Sequence, residues 1–519
     1  MTNREPRSPR PYRSKSIARR DLLKSSAVIG AAAAFPRASA AATKGGMIAA
    51  ENAKTGTGDW QLTYVRPDRK DAVRTSRIEG YCSHTSVRAG ETIAFHLSTT
   101  PASNVTIDLY RMGYYQGLGG RHVKTIGPIA VKPQVIPERG VNRLRECRWP
   151  VTAEFTVPGD FVSGVYLGKL SCDVHRYQSY VVFIVRDDRP ADLLFQCSDN
   201  TWQAYNKWPE SDSLYDTDPP NKALNGTTRV SFDRPYGRYP QVVDQALSFG
   251  SGEFLCWEFP LCYWLESQGY DVSYISNHDT HAGGERLTRG RVFLSVGHDE
   301  YWTLQMFQNV KSAIAGGMSA AFLSGNSACF AAPLVASTDG RPDRVFHRAG
   351  RFGNLTDLEK LQMGPFDLDG LDLPNESSII GARTVTPFNG SGDWTVAPGM
   401  ANHWLFAGTG MKAGESIPGL VGWEFHGDPA KIAGLEVVAT DTTINSAEKT
   451  ATFTATVYPG PKGNWVFNAS TIFWSMGLSQ PPGLVPPISH YGRPHGPDAR
   501  VQRITSNFLG KCGVQSTPA

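Results

Sequence analysis

The chain has 519 residues, 40% of them apolar, and 52 Lys and Arg stand against 48 Asp and Glu for a formal net charge of +4. The first 40 residues hold nine basic and two acidic side chains, a net of +7, so the remainder carries −3. That balance leaves no basic patch to suggest nucleic acid, and the length predicts more than one domain.

Residues 1–40 read as a leader. Arg19 and Arg20 precede an Ala-rich apolar stretch and then Ala38-Ser39-Ala40, the order of a twin-arginine signal peptide with its cleavage site. The apolar run is too short and too interrupted to span a membrane. The expectation is a periplasmic or secreted protein with no stable membrane insertion after cleavage. That export route suits a protein loaded with a cofactor or metal before it leaves the cytoplasm.

Residues 41–60, rich in Ala, Gly, Thr and Lys, read as a flexible N-terminus. Over 61–188 short runs such as Thr92–Ser98, Val105–Tyr110 and Tyr177–Val185 alternate in polarity between Gly, Pro and Asn breaks. This pattern predicts a β-sandwich-like domain. Asp187–Pro190 reads as a linker. Over 191–512 strand candidates (192–197, 271–275, 291–296 and 318–324) alternate with helix candidates (253–268 and 301–316), followed by a strand pair at 451–457 and 464–474 and a helix at 498–509. The fold class is therefore all-β followed by α/β, the second part a doubly wound, mainly parallel sheet. Eight cysteines occur without a CxxC pair, which gives no support to a zinc-finger or iron–sulfur frame. Cys82, Cys147 and Cys172 are the pool for any disulfide.

In such a sheet ligands bind at the carboxyl ends of the strands. Four sets of polar residues are delivered there: Cys197–Asn206, Asn277–Asp279, His298–Glu300 and Ser324–Ser327. Taken alone, Glu300 also fits a helix N-terminal carboxylate. His298 also fits a loop cap, and Asn326 a tight turn. Asp299 reads as a first-turn helix residue. No Gly-x-Ser-x-Gly or Gly-x-Cys-x-Gly elbow is present, and Cys329 reads as a small apolar helix residue.

Tyr110–Gly120, Asn200–Asn206, Gly297–Trp302, Phe322–Asn326 and Gly463–Asn468 resemble segments of the large (β) subunit of N,N-dimethylformamidase and its relatives, across roughly residues 75–510. The resemblance implies a glutamine amidotransferase class I-like α/β core behind a β domain. It also implies a mononuclear ferric iron, Fe(3+), held by two tyrosines and one glutamate. Matched residue by residue, Glu300 is the carboxylate, Tyr205 one phenolate and Tyr236 the other. His298 and Asn326 match polar groups around the metal, and Glu424 a further acidic residue. The site lysine of the family has no counterpart in Arg344–Arg348, which offers only His347 and Arg348. The relatives also pair with a small subunit, so a small subunit or a homo-oligomer is expected.

Two readings follow. One is an exported metal-dependent hydrolase of small amide C–N bonds, with ferric iron as Lewis acid. The other is a non-catalytic member that binds a carbohydrate or other small ligand through aromatic loops bearing Trp202, Trp208 and Tyr215.

Overall fold

Alternating apolar residues between residues 78 and 186 form eight strands: β1 (Ile78–Cys82), β2 (Ser86–Arg88), β3 (Thr92–Thr99), β4 (Ser103–Met112), β5 (Gly120–Val131), β6 (Ala153–Thr156), β7 (Gly164–Cys172) and β8 (Gln178–Arg186). The computed structural model describes residues 46–65, 74–216, 227–237, 254–353, 366–368, 370–385, 390–422, 424–484 and 496–517. The leader expected over 1–40 lies outside them.

The strands make two sheets, ordered β1-β3-β6 and β2-β8-β7-β4-β5. Successive strand side chains point to opposite faces. Val105, Ile107 and Leu109 of β4 therefore meet Ile93, Phe95 and Leu97 of β3 in one apolar core. The opposite face of β7 and β8 (Leu167, Val182, Ile184) joins the core of the second half. The two halves thus share buried surface, and residues 43–519 form one compact unit. Asp187–Pro190, expected as a linker, is a tied junction: Arg189 donates to Asp187 at 2.9 Å and to Asp271 at 2.7 Å.

The second half is built on β9 (Ala191–Cys197), β10 (Val272–Ser276), β11 (Gly290–His298), β12 (Ser319–Gly325), β13 (Glu436–Ile444), β14 (Thr450–Pro459) and β15 (Trp465–Asn468). The sheet order is β10-β9-β11-β12-β15-β14-β13. Pairing is parallel from β10 to β15 and antiparallel for the last two strands. The near-continuous apolar runs reflect burial on both faces. Leu193, Leu294 and Val296 pack with helices Phe259–Ser267 and Ala499–Lys511. Leu194, Phe293 and Phe322 pack on the other side with helix Leu304–Gly316. Each such side chain, fully buried, contributes about 1.5–3 kcal/mol.

Three expectations change. The helix expected from residue 301 begins at Leu304, capped by Thr303, whose hydroxyl accepts from the Met306 amide. Tyr301 and Trp302 instead form a short strand parallel to Phe330–Ala331. The segment expected to be flexible folds, within its described part, into the helix Gly46–Asn52 and a buried Trp60. Asn52 holds it by donating to Glu266 at 2.8 Å and accepting from the Tyr114 and Tyr115 amides. None of the eight cysteines, Cys82, Cys147 and Cys172 included, is in a disulfide. Among the described residues no helix is long and apolar enough to cross a membrane.

Candidate metal centre

The carboxyl ends of β11 and β12 lie side by side, with His298 and Gly325 as register partners. Two glycines let other segments close over this edge. Gly297 has φ +64, and a Cβ there would stand 2.5 Å from the Trp257 Cβ. A Cβ on Gly325 would stand 2.1 Å from the Glu424 carbonyl oxygen, closer than a carbon can approach. The missing side chain thus admits the Glu424 backbone to the strand end.

His298, Glu300 and Glu424 are buried together, with their ligand atoms within 4.8 Å of one another. His298 Nε2 lies 2.9 Å from Glu424 Oε2 and 3.4 Å from Glu300 Oε2. Tyr205 follows the helix Asp199–Ala204 and donates to Glu300 Oε2 at 2.9 Å. The Tyr215 hydroxyl lies 3.0 Å from that same oxygen and 2.7 Å from the Tyr205 hydroxyl. Tyr301 extends the chain of hydroxyls, 2.8 Å from Tyr215. Arg348 closes it: its NH1 donates to the Tyr301 hydroxyl at 3.3 Å, and its guanidinium stacks between the Tyr215 and Phe330 rings.

Burial first, then the negative charge of Glu300, holds the Tyr205, Tyr215 and Tyr301 hydroxyls well above the ordinary tyrosine range. A cation among these oxygens would reverse the sign, because a nearby opposite charge favours the anion. The oxygens stand 2.7–3.0 Å apart. Buried oxygen donors would suit a hard metal ion.

Not every expected residue joins the group. Tyr236 does not: its hydroxyl meets Gln203 and its ring packs on the main core. The cause is Arg234, two residues earlier, whose guanidinium is held by the carbonyls of Gln203, Asn206, Trp208 and Asp212. Tyr215 stands where a second phenolate was expected. Asp299 starts no helix. It is buried, its pKa is pushed up to about 6 by that burial, and it accepts from Ser295 and Gln196. Asn326 turns at φ +49 directly after Gly325, and its buried Oδ1 has no hydrogen-bond partner among the described residues. His347 faces away and bonds Asp367, leaving Arg348 as the basic group at the centre. Trp202 and Trp208 are buried, donating to Glu258 and Glu79, so they offer no open aromatic surface. Sequence reasoning missed Tyr215 and Tyr301 as site hydroxyls. Adjacency to Glu300 was a usable signal for Tyr301, whereas Tyr215 sits in an irregular loop that carries none.

No curated protein matches the chain. The family described as N,N-dimethylformamidase beta subunit-like, C-terminal, matches residues 106–490, and the chain belongs to that family.

Proposed function

We propose that the protein is an exported hydrolase of small amides that works with one ferric ion held by Glu300, Tyr205 and Tyr215. The observation that carries this reading is the convergence of two tyrosine hydroxyls on one buried carboxylate oxygen, within 3.0 Å. When bound, the ion supplies Lewis acidity that polarises an amide carbonyl and acidifies water. The remaining steps belong to the chain. Glu424, 2.9 Å from His298 Nε2, holds the imidazole and stabilises its protonated form. His298 then passes a proton to the departing amine nitrogen. Asn326 presents a carboxamide oxygen without a hydrogen-bond partner among the described residues at the same edge, and orients the substrate or its water. Arg348 balances negative charge beside Tyr301 and Tyr215.

Export rests on the Arg19-Arg20 leader, and pairing with a second subunit rests on the family, whose description names a beta subunit. Metal analysis of protein purified through its own export route tests the proposal. Stoichiometric iron with a visible tyrosinate-to-iron band, lost in Glu300→Gln and Tyr205→Phe, is expected. A colourless divalent ion would point to His298, Glu300 and Glu424 as the ligand set instead. A folded protein that takes up no metal refutes both.

A further inference from the structure

We propose that the connection between β5 and β6, residues 132–152, is a positioning element of the metal centre: its arginines gather on the buried carboxylate of Asp212 and thereby hold the Tyr215 hydroxyl beside Glu300. The inference rests on the ferric reading above. Tyr205 and Tyr215 are held differently. Tyr205 follows a helix that grows straight out of β9. Tyr215 lies in residues 205–216, which contain neither helix nor strand. Its hydroxyl is placed only as well as that loop is placed.

Three arginines of the connection meet Asp212, three residues before Tyr215. Arg139 Nε lies 2.5 Å from its carboxylate, Arg145 Nε 3.5 Å and Arg143 NH2 3.9 Å. Arg143 also donates to the Ser211 carbonyl. Asp212 is fully buried, whereas Arg139 is more than a third exposed. One guanidinium suffices to neutralise one carboxylate, so the other two serve to tie more of the connection to this point. The start of the loop is fastened to the same half. Trp208 packs with Tyr81, Cys147 and Trp149 and donates to Glu79 at 2.8 Å. The β-rich half thereby grips the loop at Trp208 and again at Asp212. Arg348 grips it once more at Leu214, whose carbonyl it meets at 3.1 Å.

The test uses the full-length protein with Asp212→Asn and, as a milder variant, Arg139→Gln. The tyrosinate-to-iron band and amide hydrogen exchange of residues 206–216 are both read. Asp212→Asn is expected to retain iron but lose the part of the band that Tyr215→Phe removes, and the double variant to lose no more than either alone. Exchange is expected to rise over 206–216 and to stay unchanged over 199–204. A folded Asp212→Asn protein with the wild-type band and wild-type exchange overturns the proposal. If Asp212→Asn does not fold, Arg139→Gln is read by the same criteria. If the wild-type protein binds no iron, the ferric reading fails by itself, and exchange in the metal-free variants still decides whether the arginines hold the loop.

Discussion

At the scale of single residues, the centre divides on the proposed reading into groups that hold charge and groups that move protons. Glu300 accepts from two tyrosine hydroxyls and faces His298 at 3.4 Å. His298 in turn faces Glu424 more closely, at 2.9 Å, and on the proposed reading these two form an acid–base pair beside the ligands. His298→Gln is expected to lower kcat by about 10²–10⁴-fold while iron content and the visible band persist. Steady-state rates on purified, iron-replete variant would check this, and a loss of iron would instead make His298 a ligand. Glu300, His298 and Asn326 stand at strand ends that can be read directly from the apolar runs and their stops, whereas Tyr205, which follows a helix, is singled out only through the family resemblance. Tyr236 and Tyr215 were not distinguishable that way. Both lie in irregular segments, and the choice between them depends on how Arg234 and Asp212 anchor those segments.

At the scale of elements, the strand ends act as a jig. β11 and β12 run in parallel register, so His298 stands opposite Gly325. The absent Cβ at Gly325 then decides whether the Glu424 segment reaches the edge. Gly325→Ala is expected to leave the sheet intact but push Glu424 away, and a displacement near 1 Å costs about 10²-fold in rate. Far-ultraviolet circular dichroism together with activity separates this local effect from unfolding. Tyr301 is set by a similar device: a two-residue strand pairs it with Phe330, and the helix waits until Leu304. A pattern of apolar residues over 301–316 cannot reveal that delay, since Trp302 and Met306 fit both descriptions.

At the scale of the whole molecule, polar and apolar contacts join the two halves. Arg111 of β4 and Glu266 of the second half form a fully buried ion pair at 2.8 Å. Removing one partner strands a buried charge, so Arg111→Met should cost about 3–5 kcal/mol in chemical denaturation. Adding Glu266→Gln should recover part of that loss. The N-terminal helix adds a pH-dependent tie. Burial opposes ionisation of Glu51, but Arg111, Lys54, Tyr115 and Arg121 outweigh it and lower its pKa below 4.5. The unfolded state then binds more protons than the native state between the lowered value and 4.5. This contribution is complete above pH 4.5 and is lost as pH falls through the native value. Glu51→Gln should flatten that acid limb of the stability curve, and an unchanged limb would remove Glu51 from the account.

Local sequence determined the parts of this protein that local physics controls. Alternation marked the β strands, long apolar runs marked the buried parallel strands, and strand ends marked Glu300, His298 and Asn326. Only the tertiary structure decided which tyrosine joins Tyr205, what Asp299 does, and that residues 46–60 pack rather than move. Those outcomes depend on contacts between residues far apart in the chain, such as Asp212 with Arg139 or Asn52 with Glu266. No period of 2 or 3.6 residues encodes such contacts, because periodicity records which face of an element is buried and not what lies across from it.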